Sequence, residues 1–427
     1  MLLQKLSGTG VIASLTLLSV GPSLATPHTL DFASMDQACA QIRLVKVKDF
    51  GYFMRQASSL LSRHHYLKAL AGFNQAVHLN PAEAMAYVGR GSAHIGLRQF
   101  AQAAADFDIA VRLAPDSAFA YFGRGWAYAE LDEFGKAISS YNEAIRLDPK
   151  DARAFRNRGA AYFGLKMYRQ SIQDLSKAIA LDPEDSLTWR NRGAAYDRLK
   201  KYGKAIASYN KAIRLDPDCA EAFYCRGLTY KHRGRFKSAI KDHKEAIRLN
   251  RFYAGPYIDL ALIYHVTGEL DKAISNYSKA INLEPGNPEL LRSRGDAHAD
   301  QEHYRQAACD YGQAISLDPN EPYLYVSLGR MYTQLEDYEK AKVNFDKLIL
   351  LKPDDIMGYL SRAGLYIKLR QYDKALVDFD RAIHLNPRFA LAYLGRAWAY
   401  DRLGNKMLAA RDYAQARRLG FKLSSQP

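Results

Sequence analysis

Residues 186–219 read SLTWRNRGAAYDRLKKYGKAIASYNKAIRLDPDC. Trp189, Gly193 and Tyr196 fall at i, i+4 and i+7, and so do Ala205, Tyr209 and Ala212. Each set is the apolar stripe of one amphipathic helix. Pro217 cannot continue the second helix and turns the chain outward. The stretch therefore predicts two helices and a turn. Gly193, Ala205 and Ala212 are small, which is what two helices need at their closest approach.

Working outward, the same pattern returns every 34 residues. Prolines stand at 81, 115, 149, 183 and 217, then at 285, 319, 353 and 387, and Arg251 and Phe421 hold the two remaining slots. Placing the proline at position 32 frames eleven repeats over 50–423, from 50–83 to 390–423, without an insertion. Position 8 is Gly or Ala in all eleven. Position 20 is Ala except for Ser171, and position 27 is Ala except for Leu348. Positions 4, 11 and 24 are mostly aromatic, which accounts for 19 of the 29 tyrosines. Such repeats bury their stripes only against their neighbours.

Composition narrows the class. Hydrophobic residues make up 48% and charged residues 25% of 427 residues, the balance of an ordinary globular protein rather than a disordered one. Four cysteines are too few for a disulfide scaffold. The formal charge of +15 permits polyanion binding. However, arginine recurs at position 7 of most repeats, as at Arg90, Arg158, Arg226 and Arg362. That habit of the repeat spreads the charge and points to a structural role. Nucleic acid is disfavoured as a partner.

The order Trp189, Gly193, Tyr196, Ala205, Tyr209, Pro217 resembles the tetratricopeptide repeat (TPR), whose pattern is W-x2-L-G-x2-Y…A-x3-F…P, with Arg192 in place of the Leu. The resemblance covers 50–423. It implies an all-α fold, a TPR alpha-alpha superhelix, that is, a right-handed solenoid of antiparallel helix pairs. It also implies a groove lined by the first helix of each pair, which takes a protein or peptide partner. Groove-facing slots fall near positions 2, 5, 6, 9, 12 and 13.

Read through those slots, the array is apolar, then basic, then acidic, then apolar. Phe119, Phe122 and Trp126 are expected aromatic anchors. Arg156, Asn157, Arg190 and Asn191 are expected donors to a carboxylate or to peptide carbonyls. Asn157 and Asn191 gain from the resemblance, since asparagine at position 6 occurs in arrays that hold peptide backbones. Asp259, Glu289, Asp296 and Asp300 form the acidic stretch. Met357, Leu360, Ile367, Leu391, Leu394 and Trp398 make the last apolar patch. The carboxylate clamp of heat-shock co-chaperones is not expected, because Ala160, Glu221 and Cys225 spoil its slots.

The N-terminus reads MLLQKLSGTGVIASLTLLSVGPSLA over 1–25. A positive start, a short apolar run and Ser23-Leu24-Ala25 make a secretory signal with cleavage after Ala25. The run is shorter than the roughly 20 residues of a membrane span. An exported protein, periplasmic or secreted, is the expectation, with an N-terminal membrane anchor as the alternative. Residues 26–49 are expected to cap the array, with 36–41 helical, and 424–427 form a short tail. A C-terminus without a solvating helix leaves a homo-oligomer through that end open.

No metal-binding, nucleotide-binding or nucleophile motif appears. Asp296, Asp300 and His303 are read as a solvated acidic surface. The expected catalytic, metal and cofactor sets are empty. The expected function is a non-catalytic scaffold for protein–protein interaction. The alternatives are a regulatory or targeting subunit that docks an enzyme complex through the C-terminal repeats and, third, a polyanion binder.

Overall fold

A computed structural model describes residues 49–421. The expected signal 1–25, the capping segment up to residue 48 and the tail 424–427 lie outside the described residues. Twenty-two helices follow one another, and no strand occurs among the described residues. The first is α1 (49–62), followed by α2 (Tyr66–Leu79), α3 (Ala84–Gly96) and α4 (Phe100–Leu113). The last pair is α21 (Ala390–Arg402) and α22 (Lys406–Arg418). From α3 on, the first helix of every repeat begins at position 1. The chain forms two compact bodies, one up to Ala127 and one from Tyr128 onward.

Local chemistry sets the helix ends. The residue at position 34 caps the next helix. Asp151, Asp185 and Asp355 each accept the amide two residues on, from Arg153, Leu187 and Met357. The Asp or Asn before the proline slot folds the link between repeats: Asp148, Asp182, Asp318 and Asn386 each accept an amide two residues later. Between the helices of a pair, position 15 takes positive φ in every repeat. Only Gly234, Gly268 and Gly404 are glycines there; the other eight, such as Lys200 at 58°, are not. A left-handed residue without glycine costs roughly 1 kcal/mol, a strain the packed pair on either side tolerates.

Within each body, position-24 side chains press onto the small residue at position 8 of their repeat. A Cβ on Gly193 would stand 2.7 Å from the Tyr209 ring, and one on Gly91 3.0 Å from Phe107. In the first body Phe107 also lies against Gly123, at position 6 of the following repeat; in the second body Phe379 lies likewise against Gly395. Where position 24 is tyrosine, position 6 supplies polarity instead: the buried Tyr141 hydroxyl has Asn157 as its partner, and burial pushes the Tyr141 pKa up.

The recurring arginines are internal. Arg158, Arg226, Arg294, Arg362 and Arg396 each donate through Nε and Nη2 to an aspartate sixteen residues on: Asp174, Asp242, Asp310, Asp378 and Asp412. In the first body Arg90 holds Asp106 the same way. Such a bidentate pair stitches the two helices of one repeat. Where position 7 is Leu260 or Leu328, position 23 is Asn276 or Asn344, and each asparagine bonds its own helix.

Candidate partner-binding faces

In the first body α5 (Ala118–Glu130) carries the three expected aromatics. Phe119 is 51% exposed and Trp126 41%, whereas Phe122 is buried at 8%. Phe122 therefore belongs to the packing, not to an open surface. Met85 on α3 is also exposed.

The four polar candidates lie in the second body. Arg156, on α7 (Ala152–Gly164), already holds a carboxylate: its Nη1 lies 2.8 Å from Asp185 Oδ2. Asp185 also caps α9 (Ser186–Arg198) and accepts from the Thr188 hydroxyl. Half-buried but held by these donors, its carboxyl titrates below the usual range. Arg156 is thus a brace between two first helices rather than an idle donor. Asn157 is likewise taken, by Tyr141 and by Arg156 Nε. Arg190 is engaged more loosely, 3.8 Å from Glu221 Oε2 and 3.9 Å from Cys219 Sγ. Asn191 follows Leu175, which has no hydroxyl to offer, and its amide has no partner among the described residues. Of the four, Asn191 and Arg190 remain available to a ligand.

The charges expected farther along are also spent at home. Lys231, on α11 (Ala220–His232), pairs with the buried Asp259. Asp296 accepts from the Tyr311 hydroxyl at 2.7 Å. Asp300 meets His265 at 2.8 Å. Alternation along the groove slots is largely internal electrostatics. These partners sit 15, 28, 29 or 35 residues from each other, so reading one helix face at a time did not reveal them.

The C-terminal apolar patch is present as a groove. Leu360 and Ile367 on α19 (Ile356–Lys368) line it together with Leu394 and Trp398 on α21. Tyr413 and Arg417 on α22 form its far wall, and Asp401 joins the rim. The groove offers an apolar floor with one cation and one carboxylate at its edge.

Burial pushes the Cys225 thiol up to about 11 and raises Cys219 as well, so neither is poised as a thiolate. No group of His, Cys, Asp and Glu is arranged to hold a metal among the described residues, and none of their helices is long and apolar enough to cross a membrane.

Several solved structures resemble the chain. One is a TPR protein, YrrB, described as having an unusual peptide-binding site: 22% identity, 43% of this chain and 95% of that chain, TM-score 0.37. Another is the C-terminal part of a TPR repeat-containing protein from Cytophaga hutchinsonii: 19% identity, 56% of this chain and 98% of that one, TM-score 0.44. Yeast Tom70 matches 88% of this chain and 85% of its own at 18% identity and a TM-score of 0.37. Comparison with curated proteins returns no match. Models described as tetratricopeptide repeat match residues 54–118, 89–152, 152–185, 186–219, 322–355 and 360–420, and one described as TPR repeat matches 263–302. With these matches laid over the helix pairs, the chain belongs to the tetratricopeptide repeat family.

Proposed function

We propose that this chain is a non-catalytic scaffold that holds a protein or peptide on faces made by the first helices of its repeats. The observation that carries the reading is the groove of α19, α21 and α22, whose apolar floor is left open to solvent. Leu394 and Trp398 supply anchor sites, and Arg417 offers a partner for a carboxylate. In the first body Phe119 and Trp126 give a second, smaller face. The groove also supports the reading in which the chain is a targeting subunit that docks an enzyme complex through its C-terminal repeats. We further propose an exported location, on the strength of residues 1–25.

Peptide display against the mature chain tests the reading. It should select sequences with a bulky apolar residue near an acidic one. Leu394→Asp with Trp398→Ala should abolish that selection, while Phe119→Ala with Trp126→Ala should leave it. Selection of nothing, together with substrate turnover by the purified chain, would reject the scaffold. Deleting 390–423 separates the docking reading: assembly with an enzyme would fail while first-body ligands stay bound. N-terminal sequencing of the protein from its host should begin at Thr26.

A further inference from the structure

The turns that join the two helices of each repeat carry a separate signal. In the second body three successive turns read GLKMYRQ (164–170), RLKKYGK (198–204) and HRGRFKS (232–238). They hold nine lysines and arginines and no acidic residue. All nine are exposed. None forms an ion pair among the described residues, in contrast to the position-7 arginines with their aspartates. The turns are neighbours in space. The Arg198 guanidinium lies 6.0 Å from the Phe163 ring, and the Tyr202 and His232 rings are 6.0 Å apart. Lys200, Lys201, Lys204 and Arg233 surround one shallow cleft.

The sign then reverses along the same edge. Turns 266–272, 300–306 and 334–340 carry seven acidic residues against three cations. Two of those cations, Lys272 and Lys340, are already paired locally with Glu269 and Asp337.

Nine unpaired cations this close together raise one another's energy, and a polyanion relieves that repulsion. The reversal limits what kind of polyanion fits. An anionic membrane or a long nucleic acid laid on this edge would run onto the acidic turns and be repelled there. The only exposed ring in the three basic turns is His232, which already faces Asp197 at 3.4 Å, while Tyr168, Tyr202 and Phe236 are half-buried, so the turns offer little for base stacking. A second copy of this chain would leave its own nine cations facing a partner edge with a net charge of only about four negative, an unbalanced match. A polypeptide segment ends where its sequence ends its charge.

We propose that the turn edge of repeats 152–253 is a docking surface for an acidic polypeptide segment, about three repeats long, that becomes basic where it continues toward repeat 254–287. This inference rests on the scaffold reading and adds a second contact to it, outside the first-helix faces. The charges set register and association rate, while the apolar groove sets residence.

Labelled peptides test it by fluorescence anisotropy on the full mature chain. The probes are a capped block of glutamates followed by lysines, the same composition with the signs interleaved, single-stranded DNA, and phosphatidylserine vesicles. The block peptide should bind at low salt and weaken steeply by 0.3 M, with the interleaved peptide about 10-fold weaker. Lys200→Glu with Lys201→Glu and Arg233→Glu should cost the block peptide about 10-fold or more. Lys177→Glu with Arg214→Glu and Arg388→Glu, equal in charge but away from the turns, should cost little. Equal loss in both triple variants would overturn the inference, as would tighter binding of DNA or vesicles than of the block peptide. Peptides selected on the apolar groove serve as the control. If they still bind the turn variant, failure of the block peptide condemns the edge alone and leaves the scaffold standing.

Discussion

Repeats 220–253 and 356–389 use the same helices in the same register and fill them with opposite chemistry. In the second, Phe379 at position 24 leans on Gly395, and only apolar surface meets there. In the first, the same slot holds His243, fully buried, with both ring nitrogens lacking a hydrogen-bond partner. Its neighbour at position 6 of the next repeat is Asp259, paired with Lys231 beside Tyr224. The small residues at positions 8, 20 and 27 and the turn at position 15 hold the register in both cases. What fills the slot is left free, and position 6 of the following repeat goes with it in most repeats: glycine beneath Phe73, Phe107 and Phe379, a polar residue beside Tyr141, Tyr277, Tyr311 and His243, with Ser361 after Phe345 as an exception.

The largest effect that should break this comparison is acid. Burial pushes the His243 pKa down to about 4, against opposing pulls from Asp259 and Asp242, with Lys231 adding to the shift. The folded chain therefore keeps the ring neutral while the unfolded chain protonates it near pH 6.5. Its contribution to stability is whole above pH 6.5 and is lost as pH falls toward 4, about 3 kcal/mol across the window. Hydrogen exchange over α11 and its neighbours should show this loss, and His243→Leu, which copies Leu175 above Gly159, should flatten the pH profile in that segment.

A cut at the stitching pairs comes next. Asp378→Ala leaves Arg362 half-buried with only Asp346, 2.5 Å from its Nη1. Because Arg362 keeps that partner and some solvent, the expected cost is about 2 kcal/mol in urea unfolding, below that of a fully buried pair. Gly395→Val should cost a similar or slightly smaller amount, because the new side chain enters the space of the Phe379 ring. The smallest effect has the opposite sign. Gly364 lies inside α19 with open space where a Cβ would go, so Gly364→Ala should stabilise by about 1 kcal/mol. Together the two glycine variants separate a glycine required by packing from one that is not.

Most of the fold was legible because repetition averages out local noise. Gly193, Ala205, Tyr209 and Pro217 each say little alone, but eleven registers of the same slots define helix pairs. Far less of the site could be read. Phe119 and Trp126 are exposed, whereas Phe122 is core and Arg156 and Asn157 are committed to Asp185 and Tyr141. A groove slot is a direction, and exposure at that slot depends on a neighbour 15 to 35 residues away. One signal in the sequence points to this: position 7 varies with position 23, six arginines with aspartate and both leucines with asparagine, with Ser140 and Ser208 opposite Arg124 and Arg192 as the exceptions, so side chains a repeat-half apart meet. The same logic links position 5 to position 34, the link that occupies Arg156.

The scaffold reading stands or falls on which surface meets a partner. A photo-crosslinking amino acid placed at Leu394, on the first-helix groove, or at Val377, exposed on the second helix of the preceding repeat, decides it in the native host. The account predicts a discrete protein adduct from position 394, absent from position 377 and lost when Trp398→Ala is added. Adducts from 377 alone, or equal adducts from both positions, would contradict it.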